Sequence, residues 1–308
     1  MKAAVLVGFG DVDQLELREV PEPKTGPGEV KVRVVATSIN PIDWKLREGM
    51  KRPGMLLELP AVLGRDASGE VVEVGPGVTR FGPGARVAGL VMGAYAERVV
   101  AKDEAWAEVP EGLNLPDAAA LPLVTLTGSQ LVEEGLASRP SETILVTGAL
   151  GSVGRTAVFL ATTRGLRVWA GVRRSQKDAA EALRVDGVVA LDDEIDCRWL
   201  PTLDGIADTV GASVTERLLD RVRRGGVVAS VASDPKGAQE RGLEVRHHWA
   251  HTDSVRLAAL VRAVADGALV IPIAKRFPLA QIRGAHQFAE QGAGGKVIVR
   301  VSDGGGTA

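Results

Sequence analysis

A glycine-rich turn between an apolar strand and an amphipathic helix constrains the fold more than any other segment. The strand reads ETILVTG, and the helix reads VGRTAVFLATTRG. Glycine here lets the backbone approach a pyrophosphate, and the helix N-terminus offers unpaired N–H groups. The turn is Thr147, Gly148, Ala149, Leu150, Gly151, Ser152, Val153 and Gly154. It predicts dinucleotide binding, although Ala149 replaces the first glycine of the usual pattern and an ordinary glycine-rich turn is the alternative.

Strand-like and helix-like segments alternate around this turn. Ala- and Leu-rich segments alternate with LRVWAGV, GVVALD, GIADTVG and GGVVASV. Apolar residues at helical spacing predict crossover helices over 215–224 and 253–266. The alternation predicts an α/β fold with a doubly wound parallel sheet over residues 117–267.

The two ends of the chain have a different pattern. Short Val-rich runs such as EVKVRVVAT, GEVVEVG and ARVAGLV are broken by Gly and Pro. Such runs predict a compact β-barrel over residues 1–116. The runs LVIPIAKRFPL and GKVIVRV return to this pattern, so residues 268–308 are expected to rejoin the first domain.

A basic segment follows the second strand of the alternating region. It contains Arg173, Arg174, Ser175 and Lys177, and no carboxylate. An NAD-binding fold places an acidic residue about 20 residues after the glycines, on the ribose hydroxyls. Arginines instead suit the 2′-phosphate of NADPH, because they form charge-assisted bonds to phosphate. The segment therefore predicts NADPH, with a solvated basic loop as the alternative.

The amino-acid composition indicates which kind of molecule the protein binds. The 308 residues are 45% hydrophobic and 25% charged, with a net charge of −2. That balance gives no field to hold nucleic acid or an anionic membrane, so a small-molecule partner is expected. The single cysteine, Cys197, forms no intrachain disulfide and suits a reducing cytoplasm. No apolar run is long enough to span a bilayer, and the first residues do not resemble a signal peptide.

Several strings together resemble the medium-chain dehydrogenase/reductase superfamily, in particular its zinc-free quinone oxidoreductase branch. They are NPIDWKLREG, LGRDASGEVVEVGPGV, AALPLVTLTG, VTGALGSVG and GGKVIVRV, in order along nearly the whole chain. The resemblance implies a GroES-like β-barrel closed by the C-terminal segment, a Rossmann domain, and a cleft where NADPH meets substrate. It also implies homodimers that pair through an edge strand near residues 243–249.

The resemblance assigns site residues one by one. Asn40 matches an asparagine near the nicotinamide, Thr127 a threonine beside the cofactor, and Lys296 a position close to it. Two loops match those that line the nicotinamide ribose and ring, and they contain Val210, Gly211, Val231, Ala232 and Ser233.

Zinc ligands of related dehydrogenases have no counterpart here. Those relatives have a cysteine near residues 38–40 and a His-Glu pair where this chain has Arg65 and Asp66. The resemblance therefore implies a mechanism without zinc. The histidines, at positions 247, 248, 251 and 286, are interpreted as structural or surface residues.

These observations predict an NADPH-dependent reductase that transfers hydride to quinones or α,β-unsaturated carbonyls. Asn40 is expected to orient the nicotinamide or polarise the substrate oxygen. Lys45 or Tyr95 is expected to hydrogen-bond the developing oxyanion. Lys45 lies where several quinone oxidoreductases have a tyrosine. The alternatives are an enoyl-thioester reductase and a non-catalytic NADPH-binding sensor, and the sequence leaves one- or two-electron quinone reduction open.

Overall fold

The computed structural model describes residues 1–51 and 56–302. Its strands are β1 (Lys2–Leu6), β2 (Leu15–Glu19), β3 (Glu29–Ile39), β4 (Ala61–Val62), β5 (Asp66–Val74), β6 (Arg86–Leu90), β7 (Arg98–Lys102), β8 (Trp106–Glu108), β9 (Thr143–Thr147), β10 (Arg167–Val172), β11 (Gly187–Ala190), β12 (Leu203–Asp208), β13 (Val222–Ser230), β14 (Glu244–His247), β15 (Ile273–Pro278) and β16 (Lys296–Arg300).

The α-helices have between 4 and 12 residues. They are α1 (Pro41–Arg47), α2 (Leu115–Ala118), α3 (Pro122–Gln130), α4 (Ser152–Thr163), α5 (Lys177–Ala180), α6 (Glu194–Cys197), α7 (Ala212–Thr215), α8 (Ser254–Ala265) and α9 (Ile282–Glu290). Within residues 1–51 and 56–302, none is long and apolar enough to cross a membrane.

The chain forms two compact units. The first unit is Met1–Leu123 with the segment from Thr252 onward, and the second unit is Val124–His251. The sequence placed these boundaries at 116 and 268. The later boundary differs because α8, predicted as a crossover helix of the parallel sheet, packs on β8 in the first unit. The apolar face of a helix shows that it covers a sheet, but it does not show which sheet.

The second unit contains the predicted parallel sheet. Its strand order is β11-β10-β9-β12-β13-β14, and all neighbours pair in parallel. Ile144, Leu145 and Val146 of β9 are all fully buried, as expected for a strand covered on both faces. Because the strands are parallel, β9, β10, β12 and β13 end at the same edge of the sheet.

One helical segment of the second unit differs from its prediction. The predicted helix over 215–224 is α7 followed by a 3₁₀ segment, Glu216–Arg221. Val222 already belongs to β13, where it pairs with Leu203, so it is not part of the apolar face of a helix. Before β9, α3 is followed directly by a π-helical turn, Leu131–Leu136.

The first unit contains a sheet of order β15-β16-β3-β5-β6-β8, with β7 also pairing with β3, and a smaller sheet of order β2-β1-β4. The late strand β16 lies antiparallel to β3, with Val297 opposite Ile39. The C-terminal segment therefore returns to the first unit, as its β-like runs predicted. This pairing also places Lys296 beside the end of β3.

Strand β14 forms one edge of the six-stranded sheet. It lies within residues 243–249, the segment expected to pair with a second copy of the chain. That pairing stays a prediction, which the molar mass in solution from light scattering would test.

Candidate active site

A buried aspartate organises the polar residues of the first unit. Asp66, at the start of β5, is 0% exposed. Its Oδ2 accepts hydrogen bonds from Ser38 Oγ (2.6 Å), Asn40 Nδ2 (2.7 Å) and Lys296 Nζ (3.3 Å). Its Oδ1 accepts one from the backbone N–H of Leu123 (2.7 Å). Four donors therefore stabilise this carboxylate in the protein interior.

Strand register brings these residues together. The antiparallel pairing of β3 and β5 sets Ser38 opposite Asp66, and Lys296 begins β16, which also pairs with β3. Lys296 Nζ also donates to Asn40 Oδ1 (2.5 Å) and to the Ile39 carbonyl (3.2 Å). Burial lowers the pKa of Lys296, while the charges of Asp66 and Asp43 partly offset that effect. The carboxylates of Asp66 and Asp43 thus stabilise the charged form of Lys296.

The start of α1 leaves the Asn40 amide free for these contacts. Asn40 is the N-cap residue, and Pro41 occupies the first helical position, which needs no N–H. The backbone N–H of Asn40 donates to Asp43 Oδ2 at 2.8 Å. The Asn40 side chain makes no capping hydrogen bond to α1, and it bonds Asp66 and Lys296 instead.

Asp43 is a second buried carboxyl. Burial, followed by the charge of Asp66, raises its pKa to about 7, against the favourable bond from Asn40 N–H. Its Oδ1 has no partner at hydrogen-bonding distance among the described residues. The hydroxyl of Tyr95 lies near enough for Asp43 to contribute to raising the pKa of Tyr95, which burial already raises. One proton on Asp43 would remove the repulsion between the two carboxylates.

Beyond Tyr95, a buried histidine continues the network. Arg47 Nη1 lies 3.3 Å from His286 Nδ1, and His286 Nε2 lies 3.2 Å from the Tyr95 hydroxyl. Since arginine only donates, Nδ1 accepts, and the neutral ring carries its proton on Nε2. Burial and then the Arg47 charge lower the pKa of His286 to about 3. This supports the interpretation of His286 as a structural residue.

The three predicted catalytic side chains lie in different surroundings. Asn40 belongs to the Asp66 cluster, Lys45 is exposed on α1, and Tyr95 is fully buried against His286. Of the predicted site residues in the first unit, the structure brings Asn40 and Lys296 into contact. The roles of Lys45 and Tyr95 stay predictions. Arg65 contacts Met92 through its guanidinium.

A buried aspartate also organises the second unit. Asp208 ends β12, and its Oδ1 accepts from Thr147 Oγ1 (2.8 Å), the N–H of Val210 (3.2 Å) and the N–H of Gly211 (3.0 Å). Its Oδ2 accepts from Ser230 Oγ at 2.8 Å. Asp208 therefore ties together the ends of β9, β12 and β13.

Ser230 links Asp208 to the second predicted cofactor loop, residues 231–233. Its Oγ accepts from the N–H groups of Ala232 (3.1 Å) and Ser233 (3.2 Å), next to Val231. The N–H of Ala212 donates to Ser233 Oγ at 2.9 Å. The two loops assigned to the nicotinamide thus lie together at the sheet edge. Thr127, the other cofactor residue predicted here, is buried on α3.

The glycine turn has the geometry of an anion cradle. Gly148 has φ +62°, and a Cβ on Gly154 would lie 2.2 Å from the Gly148 carbonyl oxygen. Gly151 is the N-cap residue of α4, and no side chain caps that end. A twelve-residue helix with an uncapped N-terminus after such a turn fits the pyrophosphate of a dinucleotide. Arg155 Nε, which the sequence did not single out, donates to the Leu150 carbonyl at 3.0 Å.

The predicted basic segment is partly neutralised. Arg174 pairs with Asp193 (3.2 Å), and Lys177 pairs with Asp196 (2.8 Å). Arg173 and Ser175 are exposed, and Arg173 Nε contacts the Gln176 side chain at 3.4 Å. Among the described residues, Arg173 is the cation of this segment that forms no ion pair.

Two protein families match parts of this chain. The alcohol dehydrogenase GroES-like domain family matches residues 26–111, and the zinc-binding dehydrogenase family matches residues 183–299. The quinone oxidoreductase of Pseudomonas aeruginosa is 32% identical over 92% of this chain and 94% of its own length. The chain belongs to the quinone oxidoreductase branch of the medium-chain dehydrogenase/reductase superfamily.

Solved structures share the fold over nearly the whole chain. The quinone oxidoreductase of Coxiella burnetii superposes with a TM-score of 0.87 at 27% identity, over 98% of this chain and 99% of that one. A mycobacterial protein complexed with NADPH gives 0.83 at 26% identity, over 98% and 100%.

The match covers less than two thirds of the length of several other curated relatives. A pikromycin polyketide synthase component of Streptomyces venezuelae is 38% identical over 58% of this chain, and that match spans 4% of the synthase component. The match to a chloroplast quinone oxidoreductase and to two chloroplast quinone oxidoreductase homologues spans 57–60% of their lengths.

The side chains do not fit the zinc that one matching family is named for. Among residues 1–51 and 56–302, no group of three or more His, Cys, Asp or Glu side chains could hold a metal ion. Asp66 already accepts from four donors, one of them an ammonium, and Cys197 Sγ donates to the Ala190 carbonyl. We therefore derive no catalytic step through zinc.

The sequence did not single out the two central aspartates as site residues. Each sits at one end of a buried strand, Asp66 in LGRDASG and Asp208 in GIADTVG. A carboxylate at such a position is a usable signal, because a buried charge requires partners. The sequence does not show what those partners are.

Proposed function

We propose that this oxidoreductase uses NADPH, requires no zinc, and transfers hydride to quinones or α,β-unsaturated carbonyl compounds. The observation that carries the proposal is the basic segment at the end of β10, beside the glycine turn at the end of β9. Because β9 and β10 are parallel neighbours, both leave the sheet at one edge. The 2′-phosphate of NADPH would supply an anion for Arg173, which forms no ion pair with any residue that the structure describes. The NADPH complex of the mycobacterial relative supports this choice.

The proposed reaction depends on positioning. Bound NADPH would supply the hydride. Conjugated acceptors accept hydride without a metal, so the protein needs to hold donor and acceptor about 3–3.5 Å apart. Asn40 would donate a hydrogen bond to the acceptor oxygen, and water would supply the proton. The ammonium of Lys296, which bonds Asp66 and Asn40, supports chemistry without zinc in this unit.

Reduction of enoyl thioesters is the second candidate. The observation that favours it is the 38% identity to a polyketide synthase component. A non-catalytic NADPH sensor is the remaining alternative, and the first experiment separates all three.

That experiment follows NADPH oxidation by absorbance against quinones, enones and an enoyl-CoA, with NADH in parallel. We expect turnover with the first two classes. Turnover with enoyl-CoA alone would favour the second candidate, and tight NADPH binding without turnover would favour the sensor.

Metal removal should leave the rate unchanged. The described side chains provide no zinc cluster, so prior dialysis against a chelator is expected to alter kcat by less than about twofold. The check is the zinc content of the purified protein together with the rate before and after dialysis. Loss of activity that added zinc restores would contradict the proposal.

Replacing Arg173 should change cofactor preference. Arg173→Ala is expected to raise the KM for NADPH about 30-fold and leave that for NADH unchanged, because a charge-assisted bond to the 2′-phosphate is lost. Arg139→Ala is the matched control, since Arg139 is exposed and precedes β9, at the opposite end of that strand. Equal weakening of both cofactors would refute the 2′-phosphate assignment.

A further inference from the structure

The side-chain amide of Asn40 lies between a buried anion and a buried cation. Its Nδ2 donates to Asp66 Oδ2 at 2.7 Å, and its Oδ1 accepts from Lys296 Nζ at 2.5 Å. Asp66, Asn40 and Lys296 are 0%, 1% and 5% exposed. The contacts therefore lie where water screens charge weakly.

These two charges fix the orientation of the amide. The two ends of an asparagine amide have nearly the same shape, so packing alone distinguishes them poorly. Rotating the Asn40 amide by half a turn would set its carbonyl oxygen against the Asp66 carboxylate and its NH₂ group against the Lys296 ammonium. Both new contacts would be repulsive, and both present hydrogen bonds would be lost.

One hydrogen-bond donor of this cluster has no acceptor among the described residues. The three ammonium hydrogens of Lys296 have three acceptors: Asn40 Oδ1, the Ile39 carbonyl and Asp66 Oδ2. The hydroxyl of Ser38 donates to Asp66. Asn40 Nδ2 carries two hydrogens, and one of them goes to Asp66. Within the described residues, the second N–H of Asn40 has no acceptor.

We propose that Asp66 and Lys296 are positioning residues that make Asn40 present an N–H, and not its carbonyl, to the acceptor oxygen. This inference rests on the proposed function. In that reaction a C–H bond of the dihydronicotinamide breaks and a C–H bond forms at the β-carbon of an enone. The enone gains two electrons, its carbonyl oxygen takes the negative charge, and a proton from water completes the product. An N–H stabilises that oxygen, whereas a carbonyl would repel it.

A double-mutant cycle tests the inference. Asp66→Asn removes the charge that orients the amide and keeps the shape, so we expect kcat with an enone to fall about 30-fold in the wild-type background. In the Asn40→Ala background the same substitution should change kcat by less than about twofold, because there is no amide to orient. A purely structural role for Asp66 would give equal losses in both backgrounds and would overturn the inference.

Two further variants keep the test decisive. If Asp66→Asn does not fold, Lys296→Gln is used in the same cycle, since it removes the opposite charge and keeps an N–H donor. Thr37→Val is the matched control. Thr37 is buried and bonds the backbone carbonyl of Asp66, not its carboxylate, so kcat should stay within about twofold.

The outcome also separates this inference from the proposed function. Absence of NADPH-dependent enone reduction by the wild-type protein would defeat the proposed function itself. Normal wild-type turnover with additive losses in the cycle would defeat the positioning role alone.

Discussion

Between pH 4 and pH 8, the free energy of unfolding of Asp43→Asn should rise relative to wild type by about 4 kcal/mol. The folded-state pKa of Asp43 is raised from 3.8 to about 7. In this range the unfolded chain releases the proton that the folded chain keeps, so wild-type stability falls as pH rises. The amide of asparagine does not titrate and removes that dependence.

A buried histidine opposes this trend in the wild-type protein. The pKa of His286 is lowered from 6.5 to about 3, so its contribution to stability is lost as pH falls from 6.5 toward 3. From pH 4 to 6.5 the two contributions have opposite slopes, and their sum in wild type is nearly flat. The Asp43→Asn variant should therefore lose stability on acidification more steeply than wild type.

Urea unfolding followed by tryptophan fluorescence at several pH values provides the measurement. Asp43→Ala is the comparison variant. It also loses the bond from Asn40 N–H, so it should be less stable throughout but show the same pH trend as Asp43→Asn. A constant difference between Asp43→Asn and wild type would mean that the folded-state pKa of Asp43 is not raised.

Gly154→Ala should destabilise the second unit by about 3 kcal/mol. The new Cβ would lie 2.2 Å from the Gly148 carbonyl oxygen and 2.8 Å from Ala149 Cα. Both are backbone atoms, so the start of α4 must move away from the turn. The same movement displaces the N–H groups proposed to bind the pyrophosphate, and NADPH affinity should fall about tenfold or more.

Gly151→Ala, in the same turn, provides the comparison for stability. Its Cβ would meet the Gly148 carbonyl oxygen at 3.2 Å, a contact that a small shift relieves, so the loss should stay below about 1 kcal/mol. Thermal unfolding of both variants gives the ranking. Equal stabilities would show that the turn accommodates a side chain at position 154.

The local elements of the fold could be predicted because their causes are local. The turn at 147–154 combines an apolar strand, spaced glycines and an amphipathic helix within one short segment. Strand runs such as EVKVRVVAT follow from the same kind of short-range pattern. Helix α8 shows what such short-range patterns cannot predict. Its apolar face was recognised, but the helix was assigned to the wrong sheet.

The candidate site could be predicted only in part. The motifs singled out Asn40 and Lys296, yet they gave no sign that the two side chains touch across 256 positions. Asp66 and Asp208 were not singled out, because a lone aspartate in a sequence is compatible with an exposed turn. The burial of each depends on strands that are distant in sequence.

The sequence by itself determined the two fold classes, the family and the glycine-rich turn between β9 and α4. Each depends on residue types at short fixed spacings, which local backbone geometry dictates. The tertiary structure alone decided the orientation of the Asn40 amide and the pKa shifts of Asp43 and His286. It also decided the ion pairs of Arg174 and Lys177, which among the described residues do not include Arg173. Each of these depends on charges brought together by long-range strand pairing and loop packing, where burial gives their interactions their strength.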